Sequence, residues 1–524
     1  MQTPHVRTLA ALVSVFLLFV VPAAVHRTAA STADALDGFD AFVEAVMKEW
    51  KVPGLAVGAV KDGKVVLAKG YGHRDVEKRL PVTDKTLMAI GSNSKSFTVT
   101  LMGMLSDEKK LEWDRPVREY LPDFQLQNDA ATRLMTPTDL VTHRSGLPRH
   151  DRLWFATGLS RKEMYDRLRF LDPSTSFRQK HQYNNLMFMT AGVLTERLTS
   201  DTWENLIKQR IFVPLGMTGS NTSVRDMPNA SDFSLPYMEV NRTVTAVPFR
   251  NIDAVAPAGA INSNVEEMLK YIQMHIDGGS AGGKPIISKR FSTLMQSVHS
   301  AAPVTIDLEA PVYTEFGPGG YGLGVGVRSY RGHKLVDHGG GIDGFISTMS
   351  WMPHDRLGVI VLTNFSGTNP VPNIVVNNIY DRLLGLEAVD FRARVRATQA
   401  RNERQGTERE RRRAAERVAG TSPSRALAQF AGTYEHPAYG AVTVTEKDGQ
   451  LIVKHGTIST TFEHFHFDVF QSVTTPDTRE WSQRTRISFT SGPNGKVESV
   501  GIPLEPALPD IAFRRRESAG TGSL

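Results

Sequence analysis

The sequence has 524 residues, of which 40% are hydrophobic and 22% are charged. This balance is ordinary for a globular protein and excludes a disordered or fibrous chain; at roughly 150 residues per domain, the length accommodates about three domain-sized units. The 61 Lys and Arg against 55 Asp and Glu give a net charge of +6, and much of the excess falls within residues 392–417. The rest of the chain is close to neutral, so we expect no extended basic face and no nucleic-acid partner.

The amino terminus has the pattern of an export signal. Arg7 supplies positive charge, residues 9–21 are apolar apart from Ser14, Pro22 ends the run, and small residues follow it. This pattern predicts a signal peptide over residues 1–33 and an exported protein, periplasmic or secreted. The alternative is an uncleaved membrane anchor, although the run is short for a spanning helix of ~20 residues. We expect membrane association only in that second case.

The sequence contains no cysteine. Disulfides, thiolate metal sites, a cysteine nucleophile and a lipid-modified amino-terminal cysteine are therefore excluded.

Past the signal, the first elements predicted are a helix over 37–48 and two strands over 54–60 and 64–69. Asp62-Gly63 joins the two strands and is a strong hairpin signal. A helix over 92–107, helices and loops over 114–251, and an amphipathic helix over 263–276 follow. Strands are predicted over 321–327, 334–337, 345–352 and 356–364, and a helix over 373–384. The order indicates an α+β domain, residues 35–388, made of both chain ends with a helical insertion between them.

Two further segments follow this domain. Residues 389–424 are predicted to be a charged helical linker, because 392–417 is rich in Arg, Glu and Ala and poor in large apolar residues. A patch for nucleic acid or acidic lipid is the alternative, and it is weakened by interleaved glutamates (Glu403, Glu408, Glu410, Glu416). Residues 425–517 are predicted to form a small all-β domain, because short strands alternate there with turns such as Asp448-Gly449.

Ser92-Asn93-Ser94-Lys95 matches the pattern S-x-x-K, and so does the segment from Ser106 to Lys109. Ser106 falls at a helix end among exposed charges, whereas Ser92 follows an apolar run and Gly91 and opens a helix. Residues three apart share a helix face, so the Lys95 amine can reach the Ser92 hydroxyl. The helix dipole and burial both disfavour an ammonium, which would make Lys95 a base. On this motif alone, an N-cap serine and a surface lysine remain the better interpretation.

Two other segments change that balance. Tyr183-Asn184-Asn185 is the only Tyr-x-Asn in the chain, and His338-Gly339-Gly340 is the only His-x-Gly. A phenol beside a lysine can share its proton, and a side-chain amide can bind a substrate amide. The glycines would let a substrate approach a strand edge closely. Taken singly, a half-buried structural tyrosine and a simple turn are the alternatives.

The order and spacing of these three motifs resemble the serine β-lactamase and penicillin-binding-protein superfamily, in its class C-like branch. That branch includes D-alanyl-D-alanine carboxypeptidases, D-amino-acid peptidases and esterases. Supporting stretches are Val52-Pro53-Gly54, Thr142-His143-Arg144-Ser145-Gly146-Leu147-Pro148, Tyr321-Gly322-Leu323-Gly324 and Leu362-Thr363-Asn364. The resemblance covers about residues 35–385 and implies an antiparallel sheet flanked by helices, with a helical subdomain. The carboxy-terminal all-β domain resembles a small barrel-like module appended in this branch.

The resemblance also implies roles for individual residues. Ser92 would be the acylated nucleophile, Lys95 its base, Tyr183 the proton relay and Asn185 the group that orients the substrate amide. The backbone N–H groups of Ser92 and Gly341 would form the oxyanion hole. Gly339 and Gly340 would line the substrate edge, and neither a metal nor a cofactor is expected.

His338 stands where many members of the superfamily carry lysine. A histidine with a pKa near ~6.5 loses its charge around neutrality, so we expect weaker binding of substrates that carry a carboxylate, such as β-lactams. The predicted function is a metal-free serine hydrolase that cleaves an ester or a small peptide or amide. The alternatives are a D-alanyl-D-alanine carboxypeptidase or D-amino-acid peptidase, and a penicillin-binding protein that acylates without efficient turnover. The pattern leaves the oligomeric state open.

Two other histidine-containing segments were weighed. His143 falls in a loop with no partner evident from the sequence, and we interpret it as structural. The run Glu463-His464-Phe465-His466 could place a metal pair on one strand face, but a solvated strand face is the interpretation we prefer.

Overall fold

The computed structural model describes residues 32–301, 314–473 and 485–517. The predicted signal peptide therefore lies outside the described residues for all but its last two positions. None of the helices in those three ranges has both the length and the apolarity needed to cross a membrane.

A nine-stranded antiparallel sheet forms the centre of the first unit. The predicted hairpin is present: Gly54–Lys61 pairs with Lys64–Asp75, and Asp62 and Gly63 take the positive φ angles (51° and 77°) that a tight turn requires. Gly54–Lys61 also pairs with Leu357–Thr363, so both ends of this unit meet in one sheet, as the predicted α+β class requires. From edge to edge the strands are Ser300–Ala301, Gly320–Tyr321, Gly326–Tyr330, His333–Ile342, Phe345–Met352, Leu357–Thr363, Gly54–Lys61, Lys64–Asp75 and Leu80–Pro81.

Helices cover both faces of this sheet because its central strands are apolar on both sides. The helices Phe39–Glu49 and Val371–Leu383 pack on one face, in one core with the strand residues Leu55, Val57 and Ala59. Val265–Ile276 packs on the other face, and it does so closely. A Cβ at Gly58 would lie 2.4 Å from Val265 Cγ1, and one at Gly358 would lie 2.2 Å from Ile272 Cγ2.

The sheet differs from the sequence prediction in two places. The strand predicted over 321–327 is two strands, because Gly324 takes a φ of 72°, and a Cβ there would lie 2.7 Å from Val99 Cγ2. The strand predicted over 334–337 runs on as His333–Ile342, so the glycines after His338 lie inside a strand and not in a turn. Glycine is a poor strand former, which is why the sequence suggested an earlier end.

Along the chain, the helical region follows the first three strands of the sheet and precedes the other six. It also contains a hairpin, Tyr237–Val240 with Thr243–Ala246, that the sequence did not predict. The α-helices of this region are Ser94–Asp107, Asp129–Leu134, Pro137–Leu140, Arg161–Arg167, Asn185–Thr199, Trp203–Ile207, Val213–Leu215 and Ala256–Gly259.

Beyond the sheet, a 25-residue helix, Phe391–Ala415, buries only Phe391 and Val395. It leads to a closed antiparallel barrel of eight strands, which agrees with the predicted fold class. Alternate residues of each strand, such as Val442 and Val444, point into the barrel. The strands are Gly432–His436, Gly440–Lys447, Gln450–His455, Ile458–His466, Val469–Ser472, Arg486–Ser491, Val497–Ile502 and Ile511–Arg515. We call these strands and the described residues that connect them the barrel below.

The segment that suggested a metal pair lies on a barrel strand. His464 Nε2 is 2.9 Å from the carbonyl oxygen of Phe467, and His466 Nδ1 accepts from the backbone N–H of Val418 at 3.3 Å. Each ring therefore has a protein partner of its own.

Candidate active site

Ser92 lies on a short 3₁₀ turn, Gly91–Asn93, that leads directly into the helix Ser94–Asp107. Gly91 has a φ of 52°, and a Cβ there would lie 2.7 Å from the backbone nitrogen of Gly341. Only glycine fits both the conformation and the space. This close approach sets Ser92, whose side chain is partly exposed, beside the strand His333–Ile342.

Lys95 is fully buried one helical turn after Ser92. Its Nζ lies 3.0 Å from Ser92 Oγ, 2.8 Å from Asn185 Oδ1 and 2.7 Å from the carbonyl oxygen of Ala258. Burial lowers the pKa of Lys95 well below its ordinary value. The positive charge of Arg149 lowers that pKa further, and the carboxylate of Asp151 opposes the shift.

These three oxygens would satisfy the three donors of an ammonium, and they also fit the neutral amine that the lowered pKa of Lys95 favours. A neutral amine has two N–H donors and one lone pair, and the oxygens of Asn185 and Ala258 can only accept. When those two oxygens take both donors, the lone pair is left for the third neighbour, the Ser92 hydroxyl. The arrangement can therefore remove a proton from Ser92.

Tyr183 is a second neighbour of the Ser92 side chain. Its hydroxyl is hydrogen-bonded to Ser92, and its ring centroid is 4.8 Å from Lys95 Nζ. Burial raises the pKa of Tyr183 to about 12, although the bond to Ser92 and the charge of Arg149 lower it in part. Tyr183 is therefore a neutral phenol at physiological pH and can donate a proton.

The backbone after Tyr183 is fixed by a helix cap. Asn184 Oδ1 accepts from the N–H of Met187 at 2.9 Å and so caps the helix Asn185–Thr199. The N–H of Asn184 in turn donates to Nδ1 of His143 at 3.1 Å, and the His143 ring centroid lies 4.3 Å from that of Tyr183. His143 thus has the partner that the sequence did not reveal, and it supports the Tyr183 ring.

Both the oxygen and the nitrogen of the Asn185 side-chain amide have hydrogen-bond partners. Its oxygen accepts from Lys95, as above, and its Nδ2 donates to Asp151 Oδ1 at 3.0 Å. The sequence suggested that Asn185 orients a substrate amide. In this structure its two contacts hold Lys95 and Asp151, and the role toward a substrate amide stays a prediction.

His338 is buried in the sheet with both ring nitrogens occupied. Nδ1 is 2.6 Å from the carbonyl oxygen of Gly339, so it carries the proton, and Nε2 accepts from the Tyr321 hydroxyl at 2.8 Å. Burial lowers the pKa of His338 to about 3, with a smaller contribution from Lys95. The expectation that the His338 ring titrates near neutrality is therefore wrong in this environment. The sequence also did not predict that Tyr321 is the partner of this ring.

The three glycines after His338 alternate in direction along their strand. Gly340 faces inward, where a Cβ would lie 1.9 Å from the carbonyl oxygen of Ile90. Gly339 and Gly341 are exposed, and a Cβ at Gly339 would meet no atom closer than 3.8 Å. The strand therefore offers an open edge beside Ser92.

The sequence missed two charged residues at this site, Arg149 and Asp151. They pair with each other, Arg149 Nε to Asp151 Oδ2, at 2.5 Å. The Arg149 guanidinium lies 5.0 Å from the Tyr183 ring centroid, and Trp154 Nε1 donates to Asp151 Oδ1 at 2.8 Å. Their only signal in the sequence was position, directly after the stretch that ends at Pro148.

Comparison with known families agrees with this geometry. The chain matches the beta-lactamase family over residues 39–379. The chain belongs to the beta-lactamase family. Residues 416–516, which contain the barrel, match a domain of unknown function, DUF3471.

Two relatives extend the comparison. "Unguisins hydrolase ungD'" of Aspergillus campestris (strain IBT 28561) is 29% identical over 515 residues, which is 91% of each chain. "Protein flp" of Staphylococcus aureus (strain COL) is 24% identical over 356 residues, 66% of each chain. The first alignment therefore extends into the barrel, beyond the residues that match the beta-lactamase family.

Solved structures share the fold. The octameric penicillin-binding protein homologue from Pyrococcus abyssi aligns with a TM-score of 0.58 at 22% identity, covering 93% of this chain and 100% of that one. The D-amino acid amidase from Ochrobactrum anthropi SV3 aligns with a TM-score of 0.56 at 19% identity, covering 68% and 98%. At such identities the likeness is one of fold alone.

Proposed function

We propose that this protein is a serine hydrolase that forms an acyl-enzyme on Ser92 and cleaves an ester or a small peptide or amide bond. One observation carries the proposal. Lys95 is fully buried, its pKa is held well below the ordinary value, and its Nζ lies 3.0 Å from Ser92 Oγ, with the oxygens of Asn185 and Ala258 available for the two donors of a neutral amine. A surface lysine or a serine that only caps a helix would need none of these contacts.

In the proposed acylation, Lys95 Nζ accepts the Ser92 proton while Ser92 Oγ attacks the substrate carbonyl carbon. The negative charge that develops on the carbonyl oxygen faces the N–H groups of Ser92 and Gly341. The leaving group takes the Tyr183 proton as its bond to carbon breaks, and Tyr183 regains a proton from the Lys95 ammonium. Water then attacks the acyl carbon and gives a proton to Lys95 Nζ. Ser92 Oγ takes that proton as its bond to the acyl carbon breaks, and the acid product leaves.

This scheme assigns proton transfer to Lys95 and Tyr183 and charge stabilisation to backbone N–H groups. We therefore propose that the reaction needs no metal and no cofactor. Gly339 and Gly340 are proposed to line the substrate edge, where a peptide or ester would lie along the strand.

The substrate class is the part of the proposal with rivals. A relative is named as a hydrolase and the fold is shared with a D-amino acid amidase, so an amide or peptide substrate, D-amino-acid peptides included, is proposed beside an ester. His338, neutral and fully hydrogen-bonded, removes the permanent charge that would favour β-lactams. An acylated protein without turnover remains the second candidate, because Ser92 can be acylated even where water does not then reach the acyl carbon.

The deciding experiment compares Ser92→Ala with Ser106→Ala, its match in the second S-x-x-K segment. We expect Ser92→Ala to lose both hydrolysis and labelling by a fluorophosphonate, and Ser106→Ala to keep both. Mass spectrometry of the labelled peptide identifies the modified serine, and an adduct elsewhere would overturn the proposal. Screening p-nitrophenyl esters, nitrocefin and D-alanyl peptides separates the substrate classes. A product burst equal to the enzyme concentration, with no turnover after it, would favour the binding protein.

We also propose that the protein is exported, on the basis of the apolar run over residues 9–21. The mature protein should then begin between about residues 26 and 34. Amino-terminal sequencing of protein from its native host tests this, and an intact Met1 in a membrane fraction would favour an anchor.

A further inference from the structure

Residues 149–158, which we call the bridging loop, lie between the catalytic cluster and the barrel. Arg149 and Asp151 point toward Lys95 and Tyr183 and affect the pKa of both. His150, between them, points the other way and is fully buried. The φ of His150 is 48°, a left-handed conformation that costs free energy for a residue with a side chain. Contacts on both sides must hold the loop in this form.

His150 makes contacts through all three of its nitrogens, two of them to residues of the barrel. Its backbone N–H donates to Glu505 Oε2 at 2.7 Å, its Nδ1 lies 2.7 Å from the Tyr439 hydroxyl, and its Nε2 lies 2.9 Å from the carbonyl oxygen of Asp172. The carbonyl can only accept, so Nε2 carries the proton and Tyr439 donates to Nδ1. Tyr439 and Glu505 are 3% and 4% exposed, and buried polar groups of this kind are costly to leave without partners.

A second barrel contact is made further along the bridging loop. The N–H of Thr457, in the turn between two barrel strands, donates to the carbonyl oxygen of Ala156 at 2.9 Å. Gly456 beside it has a φ of 59°, and a Cβ there would lie 2.3 Å from the same oxygen. Only glycine allows this turn to approach so closely. The barrel thus holds the bridging loop at two points.

On the catalytic side, the bridging loop contacts Asn185, which in turn contacts Lys95. Asp151 Oδ1 accepts from Asn185 Nδ2 at 3.0 Å, and Asn185 Oδ1 accepts from Lys95 Nζ at 2.8 Å. An amide that turned over would present its NH₂ group to Lys95 and compete for the lone pair that faces Ser92. The contact with Asp151 selects the productive orientation.

We propose that the barrel is a positioning element of the active site. Through His150 it fixes the bridging loop, so that Asp151 keeps the Asn185 oxygen on Lys95. His150, Tyr439 and Glu505 are positioning residues, because they touch neither Ser92 nor the reacting atoms. The inference rests on the proposed role of Lys95 and gives the carboxy-terminal domain a part in the reaction.

The test compares two buried barrel tyrosines in the full-length protein. Tyr439→Phe removes the bond to His150. Tyr434→Phe is the matched control, because the Tyr434 hydroxyl donates within the barrel, to the carbonyl oxygen of Phe430 at 2.7 Å. Hydrolysis of p-nitrophenyl butyrate is measured per serine titrated with a fluorophosphonate, so that unfolded protein is not counted. Hydrogen exchange of residues 149–158 is followed in parallel.

We expect Tyr439→Phe to lower kcat about 3- to 10-fold, the range for one lost hydrogen bond, with KM unchanged. Exchange in the bridging loop should accelerate, while Tyr434→Phe changes neither quantity. A double-mutant cycle uses His150→Asn, because asparagine tolerates a positive φ. The double variant should lose no more activity than the less active of the two single variants.

Equal kcat and equal exchange in Tyr439→Phe and wild type would overturn the inference, because the barrel would then merely pack on the loop. Equal losses in Tyr439→Phe and Tyr434→Phe would also overturn it, because the effect would be one of barrel stability. Ser92→Ala, labelled alongside, keeps the two proposals apart: if it still reacts, the proposed function fails and not only the role of the barrel.

Discussion

The side-chain amide of Asn185 donates to the carboxylate of Asp151, with 3.0 Å between Nδ2 and Oδ1. Asp151 is itself paired with Arg149, so the amide that contacts Lys95 is anchored to a pair of opposite charges. The two charges act on the pKa of Lys95 in opposite directions. The pair is therefore a means of setting the pH at which Lys95 becomes a base.

The first prediction concerns the acidic limb of the pH profile of kcat/KM, which reports loss of a proton from Lys95. Arg149→Gln removes a positive charge that lowers the pKa of Lys95, so the limb should move to higher pH. Asp151→Asn removes a negative charge that raises this pKa, so the limb should move to lower pH. Profiles for one neutral ester measure both shifts. If the acidic limb moved in the same direction in both variants, the two charges would not act through Lys95.

The second prediction concerns the two proton carriers. Lys95→Ala and Tyr183→Phe should each lower kcat by about 10²-fold or more, the usual effect of losing an acid–base group. Because the pKa of Tyr183 is raised to about 12, its phenol should cause no loss of activity between neutrality and roughly pH 10. Tyr71→Phe is the control. The Tyr71 hydroxyl donates to Asp40, on the helix Phe39–Glu49, at 2.6 Å. Near-full activity of Tyr183→Phe on every substrate would reduce that residue to a structural role.

Local sequence patterns predicted the parts of the fold that depend on local rules. The Asp62-Gly63 hairpin needs only its turn residues, and the strand Phe345–Met352 follows its own apolar pattern. Ser92 and Lys95 are three residues apart where a 3₁₀ turn continues into a helix, so their contact was also foreseeable. Their roles as nucleophile and base, like those of Tyr183 and Gly341, stay predictions.

What the sequence missed depends on contacts between distant segments. Asn185 and Asp151 are 34 residues apart, and His150 and Glu505 are 355 apart. Nothing in a local pattern links such pairs. His338 was misjudged for the same reason: an ordinary pKa was assumed because the burial beside Tyr321 arises only when the strands assemble.

The third prediction follows from the corrected environment of His338. Its pKa of about 3 keeps the ring neutral throughout pH 5.5 to 8. The profiles for a neutral ester and for an anionic amide should therefore be parallel over this range. We expect His338→Lys to give no gain for penicillins at pH 8, because an ammonium there would be buried beside the Tyr321 hydroxyl. If activity toward the anionic amide alone fell as the pH rose, His338 would be shown to contact a carboxylate.

The last prediction concerns stability and a different histidine, His275, at the end of the helix Val265–Ile276. Its ring stacks on Trp351 with centroids 4.7 Å apart, and neither nitrogen has a hydrogen-bond partner among the described residues. Burial lowers its pKa to about 3. In the unfolded chain the same group has a pKa near ~6.5. Below that pH the unfolded chain binds a proton that the folded chain cannot bind, so stability falls as pH falls.

For one such histidine the loss at pH 5 is about 2 kcal/mol relative to neutral pH. His275→Phe keeps the stack on Trp351 and removes the titrating group. The free energy of unfolding in urea should therefore change less between pH 7.5 and pH 5 in this variant than in wild type, by about that amount. His354→Phe, at an exposed turn, is the control and should leave the pH dependence as it is. An unchanged pH dependence in His275→Phe would mean that the folded protein admits the proton, and that burial does not hold this ring neutral.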